Sequence, residues 1–284
     1  MQEKYTGINF SIIAAPMVRD YKEGKQCFTD MCQMLVGYGI RNLDLMEPEV
    51  EEYGLAEVKK QMDIYNIRTA CFISFISMNI GNKQKIQDRI KRAIEMAKEL
   101  KSKLLMLVLT PQNEIEQFNK KSKQILITEI EEHLRWAVEE ARKYGIKVCI
   151  EETPNYELPV CSAKDCLHIL NNVPELGLAF DTGNMIPAED DPFDFYQKTK
   201  KFICHVHLKD VMYTEEKSWD KCKDGRYIKG CVYGHGIIPV NELKKRLIED
   251  GFNGCCAIEY VEPKEMGINA NKIQLGRMIS YLNL

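Results

Sequence analysis

Two histidines two residues apart are the first chemistry visible in this chain. The stretch Phe202-Ile-Cys-His-Val-His-Leu-Lys-Asp210 reads as a short buried strand, whose period of two sets His205 and His207 on one face. Neutral imidazole is a ligand for zinc, manganese and related ions. A His-x-His by itself is more often a hydrogen-bonded core pair, but this one has company. Three other apolar runs in the same half of the chain end in carboxylates: Val-Cys-Ile-Glu-Glu at Glu151 and Glu152, Leu-Gly-Leu-Ala-Phe-Asp at Asp181, and Cys-Cys-Ala-Ile-Glu at Glu259. Each has a plainer role open to it. Glu151 or Glu152 is also the first solvated residue after a strand, Asp181 also suits the turn Asp-Thr-Gly-Asn, and Glu259 can pair with a helix lysine. Their joint occurrence is the stronger observation. Carboxylates converging on one point repel unless a cation sits among them, and one imidazole with three carboxylates suits Mn, Co, Zn or Mg.

The elements that must position these groups repeat as strand then helix. Apolar runs at 8–14, 40–46, 67–74, 103–109, 146–151, 176–180, 203–208 and 255–260 read as strands. Between them, helical periodicity covers 24–38, 55–65, 83–100, 121–144, a segment opened by Ser162, a short one near Pro192, 240–250, and a last helix to the C-terminus. Thr110-Pro111 stops the fourth strand, and 211–239 is the longest irregular stretch. Strict alternation predicts an α/β fold with a parallel sheet. Eight units in 284 residues favour a closed (β/α)8 TIM barrel as one domain over 1–284. No Gly-x-Gly-x-x-Gly follows the first strand, against a dinucleotide fold. In such a barrel the C-terminal strand ends form the active face. Glu151, Asp181, His207 and Glu259 then lie at four successive strand ends.

Composition excludes several partners. A net charge of −3 gives no electrostatic footprint for nucleic acid or an anionic membrane. No apolar run is long enough to span a bilayer, and MQEKYTGINF lacks the order of a signal peptide. The 11 cysteines are odd in number and form no Cys-x-x-Cys, which fits reduced thiols and a cytoplasmic location.

With these motifs in place, the chain resembles the xylose isomerase-like TIM barrels of the sugar phosphate isomerase/epimerase family, relatives of endonuclease IV. The matching pieces are Gly145-Ile-Lys-Val-Cys-Ile-Glu151, Phe180-Asp-Thr-Gly-Asn184, His205-Val-His-Leu-Lys-Asp210, Gly234-His-Gly236, and Gly251-Phe-Asn-Gly254 before Ala257-Ile-Glu259. The resemblance implies one divalent ion held by Glu151, Asp181, His207 and Glu259, and prefers Glu151 to Glu152. It implies proton abstraction next to a carbonyl of a sugar, sugar phosphate or related polyol, with Glu151 and Glu259 as the catalytic acid/base pair. The alternative is a dehydratase of an inosose-like or dehydroshikimate-like substrate. Less favoured are a non-catalytic sugar-binding barrel and an endonuclease IV-like hydrolase, the latter because it needs more histidines than the 5 present. Glu157 matches a substrate-binding Glu of the ketose 3-epimerases. Asn184 stands where several relatives carry a substrate-binding His, and Tyr213 where those epimerases carry an Arg. Lys209, Asp210 and His235 complete the expected substrate-binding set. The long stretch after residue 211, with Lys217, Trp219, Lys221, Lys223, Arg226 and Lys229, reads either as a lid gripping a phosphate or sugar ring or as a solvated charged loop. A small carbohydrate is the expected partner, and a homo-oligomer is compatible with all of this.

Overall fold

The computed structural model of the protein describes residues 8–77, 83–110 and 123–284. Eight parallel strands close into a barrel. They are β1 (Asn9–Ile13), β2 (Asn42–Met46), β3 (Arg68–Ser77), β4 (Leu104–Thr110), β5 (Lys147–Glu151), β6 (Gly177–Asp181), β7 (Ile203–Leu208) and, last in the chain, β10 (Cys255–Glu259). The order around the barrel is β1-β10-β7-β6-β5-β4-β3-β2, so sequence neighbours are spatial neighbours and the first strand meets the last. This is the closed (β/α)8 barrel that the alternation predicts.

Each strand buries both faces. Leu43, Leu45, Leu105, Leu107, Val148, Ile150, Leu178 and Phe180 point outward into the large core under the helices, while Cys71, Ile73, Met106, Cys149 and Ala179 fill the barrel interior. Helices cover the outside with one apolar stripe each. Ile86, Ile90, Ala93, Ile94 and Ala97 of the helix Lys83–Glu99 are all buried. The helix Ala163–Asn172 starts where Ser162 accepts a hydrogen bond from the Asp165 N–H, as its N-cap chemistry requires.

Three details differ from the sequence reading. The expected helix 24–38 is shorter, Phe28–Gly37, because Cys27 and Asp30 form a reciprocal cap; a separate short helix, Val18–Lys22, precedes it. Glu47, directly after the second strand, lies in a helix that the periodicity did not predict. It opens the helix Glu47–Tyr53 and is buried against Ser74 Oγ (2.6 Å) and Arg89 (2.7 Å). The irregular stretch after residue 211 is ordered in part as an antiparallel hairpin, β8 (Asp210–Thr214) with β9 (Tyr227–Cys231), lying outside the barrel sheet. The stop at Pro111, the helix start at Lys121 and the leader reading over 1–7 lie outside the described residues. Among the described residues no helix is long and apolar enough to cross a membrane.

Candidate metal centre

Register brings the predicted groups together. Asp181 on β6 pairs with His207 on β7, Glu151 on β5 pairs with Ala179 one step lower on β6, and Glu259 ends β10 on the far side of His207. One ligand-type atom from each of Glu151, Asp181 and His207 lies within 4.8 Å of the others. His207 turns Nδ1 toward Glu151 Oε1 at 2.5 Å and Nε2 toward Asp44 Oδ2 at 3.4 Å. Asp181 serves two ends at once. Its Oδ1 accepts the backbone N–H of Gly183 (2.7 Å) and of Asn184 (2.8 Å), which caps the turn, while its buried Oδ2 has no hydrogen-bond partner. Glu151 Oε1 is also buried, and its one close neighbour is His207 Nδ1. Leaving an oxygen such as Asp181 Oδ2 without a hydrogen bond costs about 1–3 kcal/mol, more when charged. The donor set, two carboxylates and an imidazole aimed at one another, fits a hard-to-borderline divalent ion.

The fourth expected ligand, Glu259, sits beside this trio and closes instead on Lys209 Nζ at 2.8 Å. Lys209 also donates to Asn184 Oδ1 at 3.1 Å. Burial opposes ionisation of Glu259, but the Lys209 ammonium, then the adjacent Asp181 carboxyl and His207, outweigh it and hold the Glu259 carboxyl at about 2. Burial also works against the Lys209 cation, and Glu259 and Asp181 overcome it, so the ammonium stays charged. For Asp181, burial and the charges of Glu259 and Glu151 exceed the help from Lys209 and push its carboxyl well above the usual range.

The other expected substrate contacts divide. Asn184 and Lys209 lie beside the trio, Asn184 through its backbone N–H on Asp181 and Lys209 through Glu259. Glu157 stands nearer the hairpin, where its carboxylate accepts from Lys221 at 2.6 Å. Asp210 faces away into the loop and accepts three backbone N–H groups, from Gly234, Gly236 and Ile238, at 2.9–3.0 Å. His235 is exposed and lines a surface cavity with Tyr233, Arg277 and Tyr281, beside the last helix. Most of the basic side chains of the hairpin are matched by carboxylates: Lys221 by Glu157, Lys223 by Glu189, Arg226 by Asp224, Lys229 by Glu216. Arg226 also stacks over Tyr213, 3.6 Å from the ring centre. The charged-loop reading therefore accounts for them.

Two residues near the centre, Asp44 and Asp220, were absent from the sequence reading, and a third, Glu152, stood there only as the alternative to Glu151. Asp44, in the middle of β2, is fully buried and sets Oδ2 2.5 Å from His205 Nε2 as well as near His207. Burial would raise its carboxyl, but the two imidazoles hold it well below the carboxylate range. Glu152 takes the Asp181 N–H at 2.9 Å, and burial, then the charges of Asp181 and Glu151, push its carboxyl well up. Asp220, in the hairpin loop, lies close enough to feel both Lys209 and Glu259. The available signals were faint: one carboxylate at an inward position of Asn-Leu-Asp-Leu-Met, and one more acid in a charged loop.

A closed barrel with ligand-type groups at the C-terminal strand ends defines a class, and the family model agrees: the chain belongs to the xylose isomerase-like TIM barrel family, whose model matches residues 34–277. It is similar to fructoselysine 3-epimerase of Escherichia coli O157:H7, 28% identical over 183 residues, 61% of this chain and 58% of the relative. It is also similar to inosose dehydratase of Lacticaseibacillus casei, 22% identical over 143 residues, 46% of this chain and 48% of the relative. The chain thus matches less than two thirds of the length of either relative. Among solved structures, the IolI protein with a bound zinc atom superposes with a TM-score of 0.75 at 16% identity, covering 97% of this chain and 98% of that one.

Proposed function

We propose that the protein is a divalent-metal-dependent isomerase or epimerase acting on a sugar, sugar phosphate or related polyol. The observation that carries this is the convergence of Glu151, Asp181 and His207, with the buried Asp181 Oδ2 left without a hydrogen bond, next to an ionised Glu259. These residues, with Glu259 completing the set, would hold the ion. When bound, the ion supplies Lewis-acid polarisation of a substrate carbonyl and so acidifies the neighbouring C–H. Mn, Co, Zn and Mg all suit the donors.

Glu151 and Glu259 form the acid/base pair, one removing the proton from carbon and the other returning it. In the resting site Glu259 is a weak base because Lys209 neutralises it. A substrate oxygen that draws the Lys209 ammonium away raises the basicity of Glu259 when it is needed. Lys209, held firmly charged, then stabilises negative charge on the substrate oxygen. Asn184, Lys209 and Glu157 are assigned to substrate hydroxyls, while Asp210 orders the loop over 234–238. The similarity to inosose dehydratase supports a second reading, loss of a β-hydroxyl from the same carbanionic state.

Turnover in deuterated water tests the reading. The wild type places deuterium on the carbon next to the carbonyl of a converted ketose. Glu151→Gln and Glu259→Gln do so about 10²–10⁴-fold more slowly, the usual worth of a positioned acid or base. Exchange at the wild-type rate in both variants would remove these glutamates from the mechanism.

A further inference from the structure

Barrel interiors of this kind are ordinarily filled by branched apolar side chains in layers. The layer below the Glu151–Asp181–His207 trio departs from that rule. Asp44 on β2 and Cys71 on β3 are side by side in register, and His205 reaches across from β7. All three are buried, with exposures of 0%, 0% and 1%. One ligand-type atom from each lies within 4.8 Å of the others. Asp44 Oδ2 is engaged by His205 and His207, yet Oδ1, equally buried, has no partner. Cys149 on β5 brings a further thiol into hydrogen-bond reach of Cys71.

We infer that Asp44, Cys71 and His205 form a second metal site inside the barrel, suited to a borderline thiolate-accepting ion of the zinc type and distinct from the carboxylate centre above it. The counter-ion role of Asp44 explains one of its oxygens and leaves the other orphaned. A cation satisfies it and gives a reason for sulfur where valine or isoleucine would otherwise pack. The donors also differ in kind from those above. Carboxylates with one imidazole suit Mg and Mn, whereas sulfur, nitrogen and oxygen together suit zinc. Binding releases the Cys71 thiol proton to solvent, together with any proton shared between Asp44 and the ligating nitrogen of His205, so the thiolate and the Asp44 carboxylate meet a divalent charge as two negative ligands beside the imidazole. Cys149 stands as the nearest additional donor. The ion would tie β2, β3 and β7 together beneath the catalytic face.

Cobalt(II) reports the ligand type directly, because thiolate bound to cobalt gives an intense near-ultraviolet charge-transfer band that oxygen and nitrogen ligands do not. The full-length protein, stripped of metal, is titrated with cobalt(II) alone and followed by absorption. Two equivalents are expected in the wild type, one of them carrying the band. Cys71→Ala loses the band and that equivalent but keeps the other; Asp181→Ala keeps the band. Cobalt uptake by the wild type without a charge-transfer band overturns the second site, whatever the variants do. So does a band that survives Cys71→Ala, since the thiolate would then lie elsewhere. Loss of binding in the upper centre alone leaves the band untouched, so failure of the proposed function and failure of this site read differently.

Discussion

His207 shows how one side chain depends on another far away in sequence. Its Nδ1 faces Glu151 while Nε2 faces Asp44, 3.4 Å away. A carboxylate behind a metal-binding imidazole fixes the tautomer and ring orientation. Asp44→Asn should therefore weaken manganese binding at the carboxylate centre about 10–100-fold, the usual effect of losing such a partner, with the barrel still folded. Isothermal titration with Mn(II) measures it, and unchanged affinity would show that Asp44 does not orient His207. Glu151, Asp181 and His207 were legible in the sequence because each ends or nearly ends an apolar strand. Asp44 was not, since a single inward acid within a strand looks like any alternation until the fold brings β7 opposite β2. Glu259 was legible as a strand-end carboxylate, but its pairing with Lys209 was not, because that pairing is set by side-chain reach across neighbouring strands.

At the scale of elements, the eight strands were visible because each is a short apolar run bounded by polar residues, and parallel strands buried on both faces give that pattern. The β8–β9 hairpin was hidden because its segments, Asp-Val-Met-Tyr-Thr and Tyr-Ile-Lys-Gly-Cys, are short and joined by charged residues. The loop after the hairpin is tied down by Asp210, whose carboxylate accepts the Gly234, Gly236 and Ile238 N–H groups. Gly236 has no room for a side chain: a Cβ there would lie 2.1 Å from Asp210 Oδ1 and 2.3 Å from the Val211 carbonyl. Gly236→Ala should push this loop off its anchor and cost about 1–3 kcal/mol, in the range of breaking a buried hydrogen-bond network. Urea unfolding measures the loss, and a variant as stable as wild type would show that the anchor contributes nothing.

The stability of the whole molecule carries a pH signature from a group outside the site. Glu49 is buried, with one oxygen taking the Met46 N–H and the other unpartnered. Burial, reinforced by the Asp44 charge and only partly offset by the Met46 hydrogen bond, pushes its carboxyl up to about 8. The folded protein thus holds a proton that the unfolded chain, with a carboxyl near 4.5, gives up earlier. Between those values the native state binds more protons, so this group makes stability fall as pH rises from about 4.5 to about 8, with no further change beyond. Glu49→Gln should flatten that part of the stability–pH curve, measured by urea midpoints at pH 5 and pH 8. A slope identical to wild type would mean that Glu49 is ionised in the native state.

The central claim is that the strand ends of β5, β6 and β7 hold a divalent ion through Glu151, Asp181 and His207. Manganese(II) is the sharpest probe, because it prefers carboxylate and imidazole to thiolate and so ignores the sulfur-bearing layer below. Electron paramagnetic resonance of free manganese, recorded while metal-stripped protein is titrated, counts bound ions directly. One equivalent per chain is expected for the wild type and essentially none for Asp181→Ala. Equal uptake by the two proteins, or none by the wild type, would contradict the claim.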